Sequence, residues 1–208
     1  MRFTVKLQPI LVNTNMDCIW INIPKNASSF MQTMFEQNGW KEPDPRIVIS
    51  LLESDIRKFA ILRNPLKRWI SGFAECFMDM PEMLELLDNS TFIEVIKRSP
   101  VFDNHTELQS AFITNSRNLE FIMLDSDWDA PYFFNTVDTW FKRNGYRSDC
   151  GGWRDKVNPL SEDPIKKKIN VKLRKMQQVN KKLFEQIDVF FEPDYQLINS
   201  ATRINYEL

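Results

Sequence analysis

The sequence predicts a three-layer α/β fold, a mostly parallel sheet with helices on both faces. Three stretches carry that prediction. Cys18 to Ile23 is a nearly continuous apolar run that passes through Pro24 and a loop of small residues into a helical pattern over Phe30 to Gln37. Lys58 to Phe73 repeats the order strand, turn, helix, and Leu119 to Leu124 is a further apolar run ahead of an amphipathic helical pattern over Asp129 to Asn144. Strands covered on both faces read as unbroken apolar runs, and strands alternating with helices read as parallel units.

The 208 residues are expected to form a single domain, 1–208, with a core of ordinary size. Sixteen Phe and six Trp exclude a disordered chain, and a net charge of −1 argues against broad nucleic-acid binding. Cys18, Cys76 and Cys150 show neither metal-ligand spacing nor a disulfide framework, so a reducing, cytoplasmic setting is expected. Met1 to Asn15 lacks the apolar core and cleavage site of a signal peptide, and no apolar run is long enough to span a membrane.

Taken in order, Phe3 to Ile10 alternates apolar and polar residues, as an edge strand does, and Pro9 is tolerated there. Cys18 to Ile23 is the first buried strand, ended by Pro24. The helix that follows places Phe30 and Met34 on one side and stops at Asn38-Gly39. Lys41 to Arg46 is a loop. Arg46 to Leu52 reads as a strand, with Glu53 to Asp55 turning after it. Phe59 to Leu62 is the next strand, and the helix from Pro65 carries an apolar stripe of Leu66, Trp69, Ile70, Phe73 and Phe77. Pro81 breaks that helix. Thr91 to Arg98 is helical with Ser90 as its cap, Asp103 or Asn104 caps a helix through Gln109, and Ile165 to Ile187 forms one long helix.

The turn after the first buried strand has the chemistry of an anion site. Free N–H groups at a helix start and the helix dipole both favour negative charge. Lys25 supplies a point charge, Ser28 and Ser29 supply hydroxyls, and small Asn26 and Ala27 let a ligand approach the main chain. The nucleoside-triphosphate signature G-x-x-x-x-G-K-[ST] is absent, so its magnesium chemistry is not implied. In the second strand–turn–helix, Arg63 falls at a strand end, where open α/β sheets bind ligands. Arg68 and Ser71, three apart on one helix face, suit a second phosphate, although a structural ion pair is the favoured role for Arg68.

These two stretches resemble the sulfotransferase family. Ile23-Pro-Lys-Asn-Ala-Ser-Ser29 is similar to the family's 5′-phosphosulfate loop, and Arg63-Asn-Pro-Leu-Lys-Arg-Trp-Ile-Ser71 to its 3′-phosphate element, in the right order and at a fitting separation. Asp188 to Ile198 is similar to the closing segment of the carbohydrate (Golgi-like) sulfotransferases, the branch resembled most. The resemblance implies a P-loop-like sulfotransferase fold. It implies 3′-phosphoadenosine 5′-phosphosulfate (PAPS) as donor, a hydroxyl acceptor on a carbohydrate, and no metal. Lys25 would then hold the 5′-phosphosulfate, with the main chain of Asn26, Ala27, Ser28, Ser29 and Phe30 around it, and Arg63 and Ser71 would bind the 3′-phosphate.

His105 is the only histidine. His105-Thr-Glu-Leu-Gln109 is similar to a histidine–glutamine element of the carbohydrate branch, which makes His105 the candidate general base. Glu53 and Asp55 are rival bases. The loop Asp149 to Pro159, with Trp153, Arg154 and Lys156, is a candidate cover for the cofactor, and an ordinary solvent-facing loop fits it equally well. The basic residues of 166–182 read as a solvated helix face, or else as an attraction for anions. Two other functions remain open: a magnesium-dependent nucleotide kinase, and a nucleotide-binding protein without turnover.

Overall fold

A computed structural model describes residues 10–124, 131–148 and 163–206. The chain divides into two compact units, both discontinuous in sequence: Met1–Asn64 with Gln109–Lys156 and Gln196–Leu208, and Pro65–Leu108 with Val157–Tyr195.

The first unit contains a five-stranded sheet in the order β1 (Ile10–Val12), β2 (Cys18–Ile21), β3 (Arg57–Arg63), β4 (Leu119–Leu124), β5 (Thr202–Arg203). β1 pairs antiparallel with β2, and every other pairing is parallel. β2, β3 and β4 fall on the predicted apolar runs, β2 stopping at Ile21 short of Ile23 and β3 extending beyond 59–62 at both ends, and they are almost wholly buried. Successive side chains face opposite sides of a sheet. Trp20, Phe59, Ile61 and Ile122 therefore face one core, shared with Phe30, Met31, Met34 and Phe35 of α1 (Ser28–Gln37). Phe134, Val137 and Trp140 of the helix Pro131–Arg143 complete it. Ile19, Ile21, Ala60, Leu62 and Phe121 face the other core, with Val48 and Leu52 of α2 (Val48–Glu53) and Leu197. Helices thus cover both faces of a mostly parallel sheet, as the sequence predicts.

The second unit is helical. It includes α3 (Pro65–Cys76), α4 (Met83–Leu86), α5 (Ser90–Arg98) and, after the Pro131–Arg143 helix (α6), α7 (Pro164–Val179) and α8 (Lys181–Phe190). Trp69, Ile70 and Phe73 of α3 share a core with Ile169 and Leu173 of α7 and Leu183, Phe184 and Ile187 of α8. The last helix, α9, is Glu192–Ser200.

Several expectations change. The predicted edge strand Phe3 to Ile10 falls almost entirely outside the described residues, and β1 begins at Ile10. Arg46 to Leu52 is not a strand. Pro45–Ile47 makes a 3-10 turn and α2 follows. The β-branched run suggested a strand, but Val48 and Leu52 are buried while Ile47 and Ile49 are exposed, which is helical spacing. Asn89, not Ser90, caps α5, its side chain accepting from Thr91 and Phe92 N–H. The long helix 165–187 is broken at Asn180, whose side chain accepts from Leu183 N–H and starts α8. Lys166 leaves the expected solvated face. It is buried and ion-paired with Glu75, whereas Lys167, Lys168, Arg174, Lys175, Lys181 and Lys182 are exposed. No helix among the described residues is long and apolar enough to cross a membrane.

Candidate functional site

β2 pairs with β3 as far as Ile21–Ala60, and then the chain leaves the sheet through residues 22–27. This turn lies at the C-terminal ends of parallel strands, where such sheets bind ligands. Its main chain is unusual: Lys25 has φ 67° and Ala27 has φ 60°. A residue with a Cβ at positive φ is disfavoured by roughly 1–2 kcal/mol. Left-handed residues interspersed in a turn point successive N–H groups into one concavity, a geometry that suits anions. Ala27 precedes α1 without a side-chain cap, so Ser28 and Ser29 N–H have no acceptor within the helix. The first intrahelical bond runs from Met31 N–H to Ala27 O at 3.0 Å.

Two expected donors are already engaged. The Asn26 N–H donates to Ile23 O at 3.2 Å, closing the turn, and the Ser28 hydroxyl donates to the same carbonyl at 2.8 Å. Ser29 is exposed, Lys25 half-buried, and the Phe30 side chain is part of the core. For Phe30, only the main chain can then serve an anion.

Arg63, the last residue of β3, is half-buried, and its guanidinium donates to Lys25 O at 3.4 Å. With β2 gone, the β2-facing main chain of Ile61 and Arg63 needs other partners, since buried N–H and C=O groups are paired almost without exception. Two side-chain amides provide them. Asn26 Nδ2 donates to Ile61 O at 2.8 Å and to Gln109 Oε1 at 2.6 Å. Gln109 Oε1 also accepts from Arg63 N–H at 3.0 Å, and Gln109 Nε2 donates to Arg63 O at 2.8 Å. The Arg63 main chain fixes which way the Gln109 amide points, and Ile61 O fixes Asn26. Asn26 and Gln109 are both essentially fully buried. The sequence pairs Gln109 with His105 on one helix face. In the structure no helix covers 103–108, and Gln109 opens a 3-10 turn, Gln109–Phe112. Nothing in the sequence marked Gln109 as a support for the loop at 24–27.

The rival bases lie away from this turn. Glu53 ends α2 and Asp55 lies just before β3, at the strand's N-terminal end. The loop and Arg63 lie at its C-terminal end, about 20 Å away at ~3.3 Å per residue.

In the second unit, Arg68, Gly72 and Cys76 recur every four residues on one side of α3 and seat the segment 103–107. The buried Arg68 guanidinium donates to Glu107 O and to Asn104 O, the latter at 3.2 Å. These two bonds, both to carbonyls, hold Arg68 against the segment and are not the ion pair expected for it. A Cβ on Gly72 would lie 2.1 Å from His105 O, so this close approach requires glycine. Cys76 Sγ donates to Asp103 Oδ1 at 2.7 Å. Ser71 is half-buried on α3.

His105 is two-thirds buried at its side chain, and its Nδ1 lies 2.7 Å from Asp103 Oδ2. Burial raises the Asp103 pKa, but hydrogen bonds from His105 and Cys76 outweigh it and bring the carboxyl down to about 2. An ionised carboxylate on Nδ1 selects the tautomer whose Nε2 lone pair is available, the arrangement a general base needs. Thr106 is fully buried and braces the segment, its hydroxyl accepting from Phe102 and Asp103 N–H at 2.8 and 3.1 Å. The candidate loop Asp149 to Pro159 lies outside the described residues.

No protein-family model matches this chain, and neither a curated protein nor a solved structure does.

Proposed function

We propose that this chain is a sulfotransferase of P-loop-like fold. It would move a sulfuryl group from PAPS to a hydroxyl, with a carbohydrate as the favoured acceptor. The observation that carries the reading is the turn 24–27. Lys25 and Ala27, neither of them glycine, hold left-handed conformations just before α1, and buried Asn26 ties the turn to the strand that ends in Arg63. Strain of this kind persists where its surroundings hold it in place and is often found at ligand clamps.

In this reading the turn and the first N–H groups of α1 bind the 5′-phosphosulfate. Lys25 neutralises charge on the bridging oxygen as the S–O bond to the nucleotide breaks. Arg63 binds the 3′-phosphate that distinguishes the donor from ATP, and the resemblance assigns Ser71 to the same phosphate. His105 Nε2 takes the acceptor's proton while a new S–O bond forms, and adenosine 3′,5′-bisphosphate leaves. As in phosphoryl transfer, the catalytic work is positioning and charge stabilisation. None of these steps requires a metal. The Asp103–His105 pair supports the assignment of the base.

The test is to incubate the protein with PAPS and a panel of carbohydrates and follow release of the bisphosphate together with acceptor sulfation. Sulfation that is lost in Lys25→Ala supports the reading. A folded protein that binds neither PAPS nor the bisphosphate contradicts it, and binding of magnesium–ATP alone makes the chain a kinase.

A further inference from the structure

We propose that Cys76, Asp103 and His105 form a site for a divalent metal ion, with zinc the best fit. A sulfur, an oxygen and a nitrogen from these residues all lie within 4.8 Å of one another. Cys76 Sγ is 2.7 Å from Asp103 Oδ1, and His105 Nδ1 is 2.7 Å from Asp103 Oδ2. Thiolate, imidazole and carboxylate are the three zinc ligand types, bound at about 2.0–2.3 Å. A tetrahedral ion therefore separates its ligand atoms by roughly 3.3–3.8 Å. An ion at this spacing would replace the two hydrogen bonds, whose 2.7 Å contacts are shorter than the separation of its ligands.

The frame around these side chains is already built. Gly72 and Arg68 hold the segment 103–107 against α3, the Thr106 hydroxyl accepts from Asp103 N–H, and Cys76 meets Asp103 one helical turn beyond Gly72. His105 and Asp103 are about a third exposed, which leaves an entry path and an open fourth position. Cys76 and Asp103 are 27 residues apart, so no short ligand motif announces the set.

The charges balance. On binding, Cys76 loses its S–H proton to solvent, and one thiolate and one carboxylate neutralise the dication. The His105 ring stays neutral, with its single hydrogen on Nε2 once the metal holds Nδ1. Resting on the sulfotransferase reading, this has a consequence: a metal-loaded His105 has no lone pair for the acceptor's proton, so zinc turns transfer off.

The test uses the full-length, metal-stripped protein titrated with cobalt(II) and then zinc(II). The expected result is one cobalt per chain, tetrahedral d–d bands and a thiolate-to-cobalt charge-transfer band in the near ultraviolet, all displaced by zinc. Cys76→Ser, which retains Cys18 and Cys150, loses the charge-transfer band. Asp103→Asn weakens cobalt binding at least tenfold. A charge-transfer band that survives Cys76→Ser in protein with native circular dichroism overturns the proposal, as does wild-type protein that binds no cobalt at micromolar concentration. Zinc inhibition of sulfation in the wild type but not in Cys76→Ser supports the switch. Absence of any sulfation strikes the sulfotransferase reading alone, because the cobalt spectrum does not depend on it.

Discussion

The Asn26 side chain donates to Gln109 Oε1 at 2.6 Å, joining residues 83 positions apart. The same oxygen accepts from Arg63 N–H. One buried glutamine thus couples the turn that carries Lys25 to the strand end that carries Arg63. Gln109→Ala removes the hydrogen bonds to Asn26 and to both main-chain groups of Arg63 and should destabilise the protein by about 2–4 kcal/mol, since each buried polar group that loses its partner costs roughly 1–3 kcal/mol. Denaturant unfolding measures this. Residual folded protein should also bind adenosine 3′,5′-bisphosphate more weakly. A variant of unchanged stability would show that the amide is dispensable.

Lys25 and Arg63 should separate kinetically. Lys25→Ala retains the main-chain contacts of the turn, so its melting temperature should stay near wild type while the transfer rate collapses. Arg63→Ala should weaken bisphosphate binding by about 2–3 kcal/mol, the scale of a charged hydrogen bond. A melting-temperature loss in Lys25→Ala with no rate effect would make the lysine structural, and unchanged affinity in Arg63→Ala would remove the arginine from the site.

Gly72→Ala places a methyl group against the His105 carbonyl oxygen, 2.1 Å away before any shift. Helix and segment must then part, at a cost of about 1–3 kcal/mol. The movement should show as changed His105 ring signals in an NMR spectrum, easily read because the chain has a single histidine. Unshifted ring signals would mean that the seat is softer than the contact implies.

Cys18 gives the protein a limit at alkaline pH. Burial pushes its thiol up to about 12, against an unfolded value of about 8.5. The raised value favours the folded state fully below pH ~8.5. That contribution falls by about 1.4 kcal/mol per pH unit as pH climbs from there toward 12. Unfolding free energies measured from pH 7 to 10 should therefore decline more steeply in wild type than in Cys18→Ala. Parallel curves would contradict this.

Much of the fold is legible in the sequence because its strands are buried on both faces. Cys18–Ile21, the 59–62 stretch of β3 and Leu119–Leu124 are apolar nearly throughout, so no partner is needed to recognise them. Residues 46–52 misled because β-branched content suggests a strand, whereas the helix there is decided by which residues meet the sheet, Val48 and Leu52. The charged residues of the turn and of β3 could be read from their order. Their supports could not. Gln109, Gly72 and Cys76 act through contacts with residues distant in sequence, and a lone glutamine, glycine or cysteine carries no local pattern. Glu53 and Asp55 looked like rival bases because 46–52 read as a strand, which would have put them at a strand's C-terminal end; that stretch is helical instead.

The most direct test of the central claim is calorimetric titration of the purified protein with adenosine 3′,5′-bisphosphate, with magnesium–ATP in parallel. Micromolar binding of the bisphosphate, lost in Arg63→Ala, and no response to ATP are predicted. A folded protein that ignores the bisphosphate would contradict the assignment of Lys25, Arg63 and the turn between β2 and α1 as a donor site.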